Sequence, residues 1–147
     1  MTKDEDDGGW VVSRVGGSGF RTEVTARSHH SVADEPIGLG GTDAGPTPYE
    51  YLLMALGSCT AMTVRMYADR KSWPLERAEV SVRQARLHAV DCENCPTESV
   101  GIERIERRIE LDGPLTDEQR KRLLAVAERC PVKQTLGKEI RVETVGV

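Results

Sequence analysis

The sequence predicts an α+β fold. Two observations carry that prediction. Segments of strand and helix character follow one another as strands, helix, helix, strands, helix, strand, without the regular alternation of a parallel βαβ series. The longest nearly uncharged apolar stretch, Leu52 to Ala68, also follows a helix-start signal and holds Ser58, Thr60, Thr63 and Arg65. It is too short to span a bilayer, so a buried core helix is expected.

Trp10 to Val15 reads as a first strand. The Gly16-Gly17-Ser18-Gly19 turn leads to a second at Phe20 to Ala26, and Ser31 to Asp34 fits a short third. The loop from Gly38 to Pro48 ends in Thr47-Pro48-Tyr49-Glu50. There Thr47 can cap a helix, Pro48 can occupy its first position, and Glu50 can reach back to the cap. Gly57-Ser58 predicts a break in that helix, with a second stretch running to about Lys71 before Pro74. Glu79 to His88 alternates apolar and charged residues as a half-exposed strand does. Ile102 to Leu111 fits either strand or helix. Thr116 to Gln119 is a second capping box, and the helix behind it presents Leu123, Leu124 and Ala127 on one face. Ile140 to Val145 is the expected final strand.

A chain of 147 residues fits one domain. Residues 1–9 are expected to be a disordered acidic tail, and residues 10–147 a single domain. The net charge is -4, without a basic stripe carrying aromatics, which argues against nucleic acid and against an anionic membrane surface as partners. The N-terminus lacks an apolar signal core, so a cytoplasmic location is expected. In that reducing compartment four cysteines point to catalysis or metal binding rather than to a structural disulfide frame.

Cys59 follows the expected break and would lie in the first turn of a new helix, facing unpaired N–H groups. A thiol reacts as its thiolate, and lowering a free pKa of ~8.5 to ~6 needs ~3.4 kcal/mol. Helix N–H groups and an arginine can supply that order of energy. Leu56, Met62 and Met66 would give the thiol apolar surroundings. A lone cysteine in an apolar helix is more often inert packing; Cys130 changes the balance. It precedes Pro131 at a helix end, where a cysteine can be partly exposed and free to move. Two such thiols can reduce a hydroperoxide, one becoming a sulfenic acid and the other condensing with it to a disulfide.

The run Gly41-Thr42-Asp43-Ala44-Gly45-Pro46-Thr47-Pro48-Tyr49-Glu50, followed by Cys59-Thr60-Ala61-Met62 and later by Cys130-Pro131-Val132, resembles the OsmC/Ohr family of osmotically inducible and organic-hydroperoxide-resistance proteins. The resemblance implies a curved antiparallel sheet packed on a long central helix, in an intertwined homodimer with sites at the subunit interface. It also implies an enzyme: a thiol peroxidase for organic hydroperoxides, regenerated by a dithiol reductant and needing no cofactor. By the same resemblance Cys59 is the peroxidatic cysteine and Cys130 the resolving one. Arg21 stands on the family's thiolate-supporting arginine, with Arg27 as the fallback. Tyr49 occupies the usual position of the family's carboxylate, and Glu50 lies one residue later. Glu50 is therefore either a holder of that arginine or only the capping partner of Thr47.

His88, Asp91, Cys92 and Cys95 lie outside that signature. The C-x-x-C of Cys92 and Cys95, with His88 nearby, is a candidate zinc clasp. A redox dithiol feeding Cys59 and Cys130, or two cysteines without a role, are the alternatives. His29 and His30 read as solvated turn residues. The competing function is a redox sensor or a binding module for a small apolar ligand. A homodimer is expected on a second ground: Leu52 to Ala68 is apolar nearly all round, and one small sheet covers only one side of it.

Overall fold

The computed structural model describes residues 9–85 and 104–147. The expected tail falls almost wholly outside the described residues. The chain divides into two compact units, Met1–Leu52 and Leu53–Val147.

In the first unit, strands β1 (Val11–Val15), β2 (Thr22–Ala26) and β3 (His29–Ala33) form an antiparallel sheet in that order. Val24 faces Ser13 on one side and Ser31 on the other. Arg27, at the tight β2–β3 turn, adopts a left-handed φ of 54°. Beyond β3 the buried Asp34 carboxylate organises the loop that leads to the long helix. It accepts the Thr42 hydroxyl at 2.6 Å and the backbone N–H groups of Glu35, Thr42 and Ala44 at 2.8, 3.2 and 3.1 Å. Gly45 passes so close to β3 that a Cβ there would lie 2.1 Å from the Val32 carbonyl oxygen. The glycine is thus required by the loop path. The Tyr51 hydroxyl donates to that same carbonyl at 2.6 Å.

Helix α1 (Pro48–Arg70) begins in the first unit, and its residues from Leu53 onward belong to the second. It is unbroken. The expected interruption at Gly57-Ser58 does not occur, because Gly57 serves a packing need instead. Strand β4 (Arg77–Ala85) comes close enough that a Cβ on Gly57 would sit 3.3 Å from Val82 Cγ2. Buried residues recur every fourth position, at Leu56, Thr60, Val64 and Ala68. Spacing of four keeps one helix face turned inward.

Strand β4 pairs antiparallel with β5 (Arg104–Asp112), with Val80 opposite Ile109 and Val82 opposite Arg107. Among the described residues the strands thus form two sheets, of three and two strands, rather than the single sheet expected. Thr116 caps α2 (Asp117–Ala127) through a complete capping box with Gln119. Helix α2 stops at Ala127, three residues before the expected end at Cys130. Cys130 is instead the residue that opens α3 (Pro131–Leu136). The core of this unit joins Val64, Ala68, Leu75, Leu123 and Ala127. Leu124 was expected beside Leu123, but it is 45% exposed because Val126 takes the inward position. Ile140 to Val145 forms no strand within the chain, and Ile140, Val142 and Val145 are exposed. Alternation alone does not make a strand; the segment must also pair with a neighbouring one.

Candidate active site

Two of the predicted site residues meet inside the second unit. Helix α1 carries Cys59 about halfway along its length, and the turn between α2 and α3 carries Cys130. Both are free thiols, and they lie close enough for each to shift the ionisation of the other. Cys59 is half-buried. Cys130 is 0% exposed, not the mobile and partly exposed residue that a position before Pro131 allows. Pro131 fixes the first position of α3, and this turn presses the sulfur inward.

The one helix N–H that favours the Cys59 thiolate is that of Val132 in α3, not one freed by a break in α1. Burial pushes the Cys59 thiol up. The adjoining Cys130 pushes it further, as hydrogen-bond partner and as a charge; the Val132 N–H and the Thr63 hydroxyl act in the opposite direction. Cys130 moves down. Burial opposes that movement, but the Cys59 thiol, the Lys133 and Val132 N–H groups and the Thr60 hydroxyl together outweigh it. The two thiols therefore titrate as one coupled pair, and the donors around Cys130 favour its thiolate. Of the two, Cys59 is the residue with partial solvent access. Met62 and Met66, expected to enclose it, are 64% and 61% exposed in a single chain.

Behind the pair stands an arginine that the sequence reading passed over. Arg107 of β5 has only 10% of its side chain exposed. Its Nη1 donates to the Thr60 hydroxyl at 2.8 Å and to the Ala127 carbonyl at 3.2 Å. Its Nη2 donates to Glu128 Oε1 at 2.8 Å, and Lys133 Nζ lies 2.7 Å from the other oxygen of that carboxylate. Lys133 and Arg107 hold the Glu128 carboxyl below its usual range, Lys133 contributing most. A signal for Arg107 was present in the sequence. Ile105, Arg107, Ile109 and Leu111 share the parity of one strand face, so the arginine sits among the inward residues.

The other predicted residues belong to the first unit. The Arg21 side chain is 53% exposed and lies 3.4 Å from Glu23. Glu50 closes the capping box with Thr47: its carboxylate accepts the Thr47 N–H, and its own N–H donates to the Thr47 hydroxyl, both at 3.2 Å.

A family model described as OsmC-like protein matches residues 41–145, which includes both cysteines and the Thr42 to Pro48 run that leads into α1. The chain belongs to the OsmC-like family.

Solved structures agree on the fold of this OsmC-like protein. An OsmC-like protein from Mycoplasma pneumoniae superposes with a TM-score of 0.70 at 20% identity, over 90% of this chain and 89% of that one. A Legionella pneumophila structure, described as an organic hydroperoxide resistance protein OsmC, gives 0.62 at 19% identity, over 86% and 88%. An OsmC-like hydroperoxide resistance protein from a Jannaschia species gives 0.52 at 20%, over 91% and 89%. No curated protein matches the sequence.

Two further features of the OsmC-like chain bear on its setting. Cys92, Cys95, His88 and Asp91 lie outside the described residues. Among the described residues no group of three or more His, Cys, Asp or Glu side chains could hold a metal ion, and no helix is long and apolar enough to cross a membrane.

Proposed function

We propose that this OsmC-like protein is a thiol peroxidase that reduces organic hydroperoxides through Cys59 and Cys130. The proximity of the two thiols is the observation that carries the reading. A shift of the shared proton onto Cys130 leaves Cys59, the residue with solvent access, as thiolate. That thiolate attacks the terminal peroxide oxygen and breaks the O–O bond. Cys59 becomes a sulfenic acid, and the alkoxide leaves and takes a proton to become the alcohol. Cys130, again a thiolate, attacks the Cys59 sulfur, forms the disulfide and releases hydroxide. A dithiol then reduces the disulfide and closes the cycle. The hydroperoxide-resistance relatives support the choice of substrate.

Arg21 and Glu50 complete this reading by the family resemblance, as the thiolate-supporting arginine and its carboxylate. A homodimer is proposed as well, because Met54, Met62 and Met66 lie exposed on α1 and Ile140 to Val145 is alternating but unused as a strand. No cofactor enters the cycle. Zinc content of the protein before and after Cys92→Ser tests the C-x-x-C as a metal clasp.

The deciding experiment supplies the full chain with a dithiol and cumene hydroperoxide. Sustained turnover is expected, abolished in Cys59→Ser. In Cys130→Ser a single oxidation should leave a sulfenic acid on Cys59 that dimedone captures. One stoichiometric oxidation of the unaltered protein, with no cycling despite excess dithiol, would overturn the enzyme in favour of a sensor.

A further inference from the structure

Arg107 joins the two segments that carry the cysteines. Its side chain, only 10% exposed, leaves β5 and ends between α1 and the turn before α3. Nη1 donates at 2.8 Å to the hydroxyl of Thr60, the residue after Cys59. The same nitrogen donates at 3.2 Å to the Ala127 carbonyl oxygen, which also accepts the backbone N–H of Cys130 at 3.2 Å. Nη2 donates at 2.8 Å to Glu128 Oε1, and Lys133 of α3 closes on the other carboxylate oxygen at 2.7 Å. One rigid, planar fork of donors thus ties the helix turn of Cys59 to the turn of Cys130. The partners do not need the arginine to stay satisfied. Without it the Thr60 hydroxyl still donates to the Leu56 carbonyl, Ala127 still accepts from Cys130, and the Glu128 side chain is 59% exposed to water. Burying a cation is costly, so its place here calls for a role other than filling hydrogen bonds.

We propose that Arg107 is a positioning residue: by clamping Thr60 of α1 to Ala127 and Glu128 of the turn, it holds Cys130 within reach of Cys59 and so sets how readily the two sulfurs join. The inference deepens the dithiol reading above and rests on it. In the resolving step the Cys130 thiolate attacks the sulfenic acid of Cys59, the S–S bond forms, the S–O bond breaks and hydroxide leaves. The rate of that step and the stability of its product both rise with the effective concentration of one sulfur at the other. Disulfide geometry accepts only a narrow range of separations, so a turn held to the helix by a rigid fork favours the bond over a turn that wanders. The clamp itself keeps its charges at ordinary pH. Arginine stays protonated, and Lys133 and Arg107 hold the Glu128 carboxyl below its usual range.

The test reads the disulfide equilibrium and uses no peroxide. Full-length protein carrying Cys92→Ser and Cys95→Ser keeps Cys59 and Cys130 as its only thiols. It is equilibrated with mixtures of reduced and oxidised dithiothreitol, so that the protein dithiol passes two electrons and two protons to the reagent disulfide. Arg107→Met, which fills similar space without donors, is expected to lower the equilibrium constant for the Cys59–Cys130 disulfide about tenfold, a potential about 30 mV less negative. Arg107→Lys keeps the charge but cannot span three acceptors, and should lose most of the same amount. The fall should be alike between about pH 6 and pH 8, because the clamp does not titrate there. A pure charge effect has the opposite sign: losing a cation destabilises the thiolates and thereby favours the disulfide. Leu75→Ala weakens the core away from the clamp and is expected to leave the constant in place. The proposal is overturned by an unmoved constant or a more stable disulfide in Arg107→Met, by full recovery in Arg107→Lys, or by an equal fall in Leu75→Ala. Should Arg107→Met not fold, Arg107→Lys and Glu128→Ala carry the test, and a constant unmoved in both sinks the idea. A starting protein that forms no Cys59–Cys130 disulfide would end the dithiol reading and the proposal together. A disulfide that responds as expected in a protein without peroxide turnover would fault the peroxidase reading alone.

Discussion

Gly57 and Val82 define how closely α1 approaches β4: a Cβ on Gly57 would lie 3.3 Å from Val82 Cγ2. Two residues further along the helix is Cys59. Replacement by Ala gains helix propensity of about 1 kcal/mol but forces a stiff β-branched neighbour to give way by a few tenths of an ångström. The two effects oppose, so Gly57→Ala is expected to stay within about 1 kcal/mol of the original in urea unfolding. Gly57→Leu cannot be accommodated so easily and should cost about 1–3 kcal/mol. Val82→Ala should recover part of that loss. Additive losses in the double variant would show that the close approach is not what selects glycine.

Helix α2 separates two adjacent leucines. Leu123 is 0% exposed in the core with Val64 and Ala68, whereas Leu124 is 45% exposed. Leu123→Ala leaves a cavity and is expected to cost about 2–5 kcal/mol. Leu124→Ala should cost less than about 1 kcal/mol, since little area leaves the core. Equal losses in denaturant unfolding would contradict the observed rotation of α2.

These cases mark what the sequence could and could not say about the fold. Caps are local chemistry, and both boxes, Thr47 with Glu50 and Thr116 with Gln119, formed as their residue types dictate. Periodicity likewise located the strands and α1 to within a few residues. Gly57 failed as a signal because glycine marks a flexible backbone and a close approach equally well, and only the partner strand decides between them. Cys130 is buried where its position allowed exposure, because burial is a tertiary property. Ile140 to Val145 has strand composition but pairs with no strand among the described residues. In the site, the cysteines were legible by type and by resemblance, but Arg107 required knowing that Arg104–Asp112 is a strand rather than part of a helix. Once strand parity is fixed, an arginine between Ile105 and Ile109 stands out as inward-facing.

Asp34 makes the loop before α1 sensitive to acid. The Thr42 hydroxyl most of all, then the Ala44 N–H, lower its carboxyl from 3.8 to about 2, with smaller contributions from the Glu35 and Thr42 N–H groups and with burial opposing. A carboxyl whose folded pKa is depressed contributes stability that is fully present above its unfolded value and is lost as pH falls through the folded one. The loop should therefore loosen between about pH 4 and pH 2. Asp34→Asn is expected to be less stable than the original at neutral pH and to lack that acid-dependent part. Amide exchange at Thr42 and Ala44 would follow it. Protection that is identical in the two proteins from neutral pH down to pH 4 would show that the carboxylate does not hold the loop.

Met62 and Met66 stand one helical turn apart on α1, each more than 60% exposed, with Met54 two turns before Met62 at 45%. Thioether side chains in water lose the apolar burial that each would gain under a partner, about 1.5–3 kcal/mol for a fully covered methionine. In a two-fold assembly each side chain counts twice, because the same patch meets its own copy. Lysine at both positions would remove that gain and bring like charges together at the axis. The unaltered protein is expected to sediment as a dimer, and Met62→Lys with Met66→Lys to shift it to a folded monomer. Neither residue belongs to the inward stripe of Leu56, Thr60, Val64 and Ala68, so unfolding temperatures measured on the monomeric fraction should fall only by the share that association supplied. A dimer mass unchanged by both lysines would place the interface elsewhere. A monomer before any substitution would mean that the exposed methionines serve no second copy of this chain.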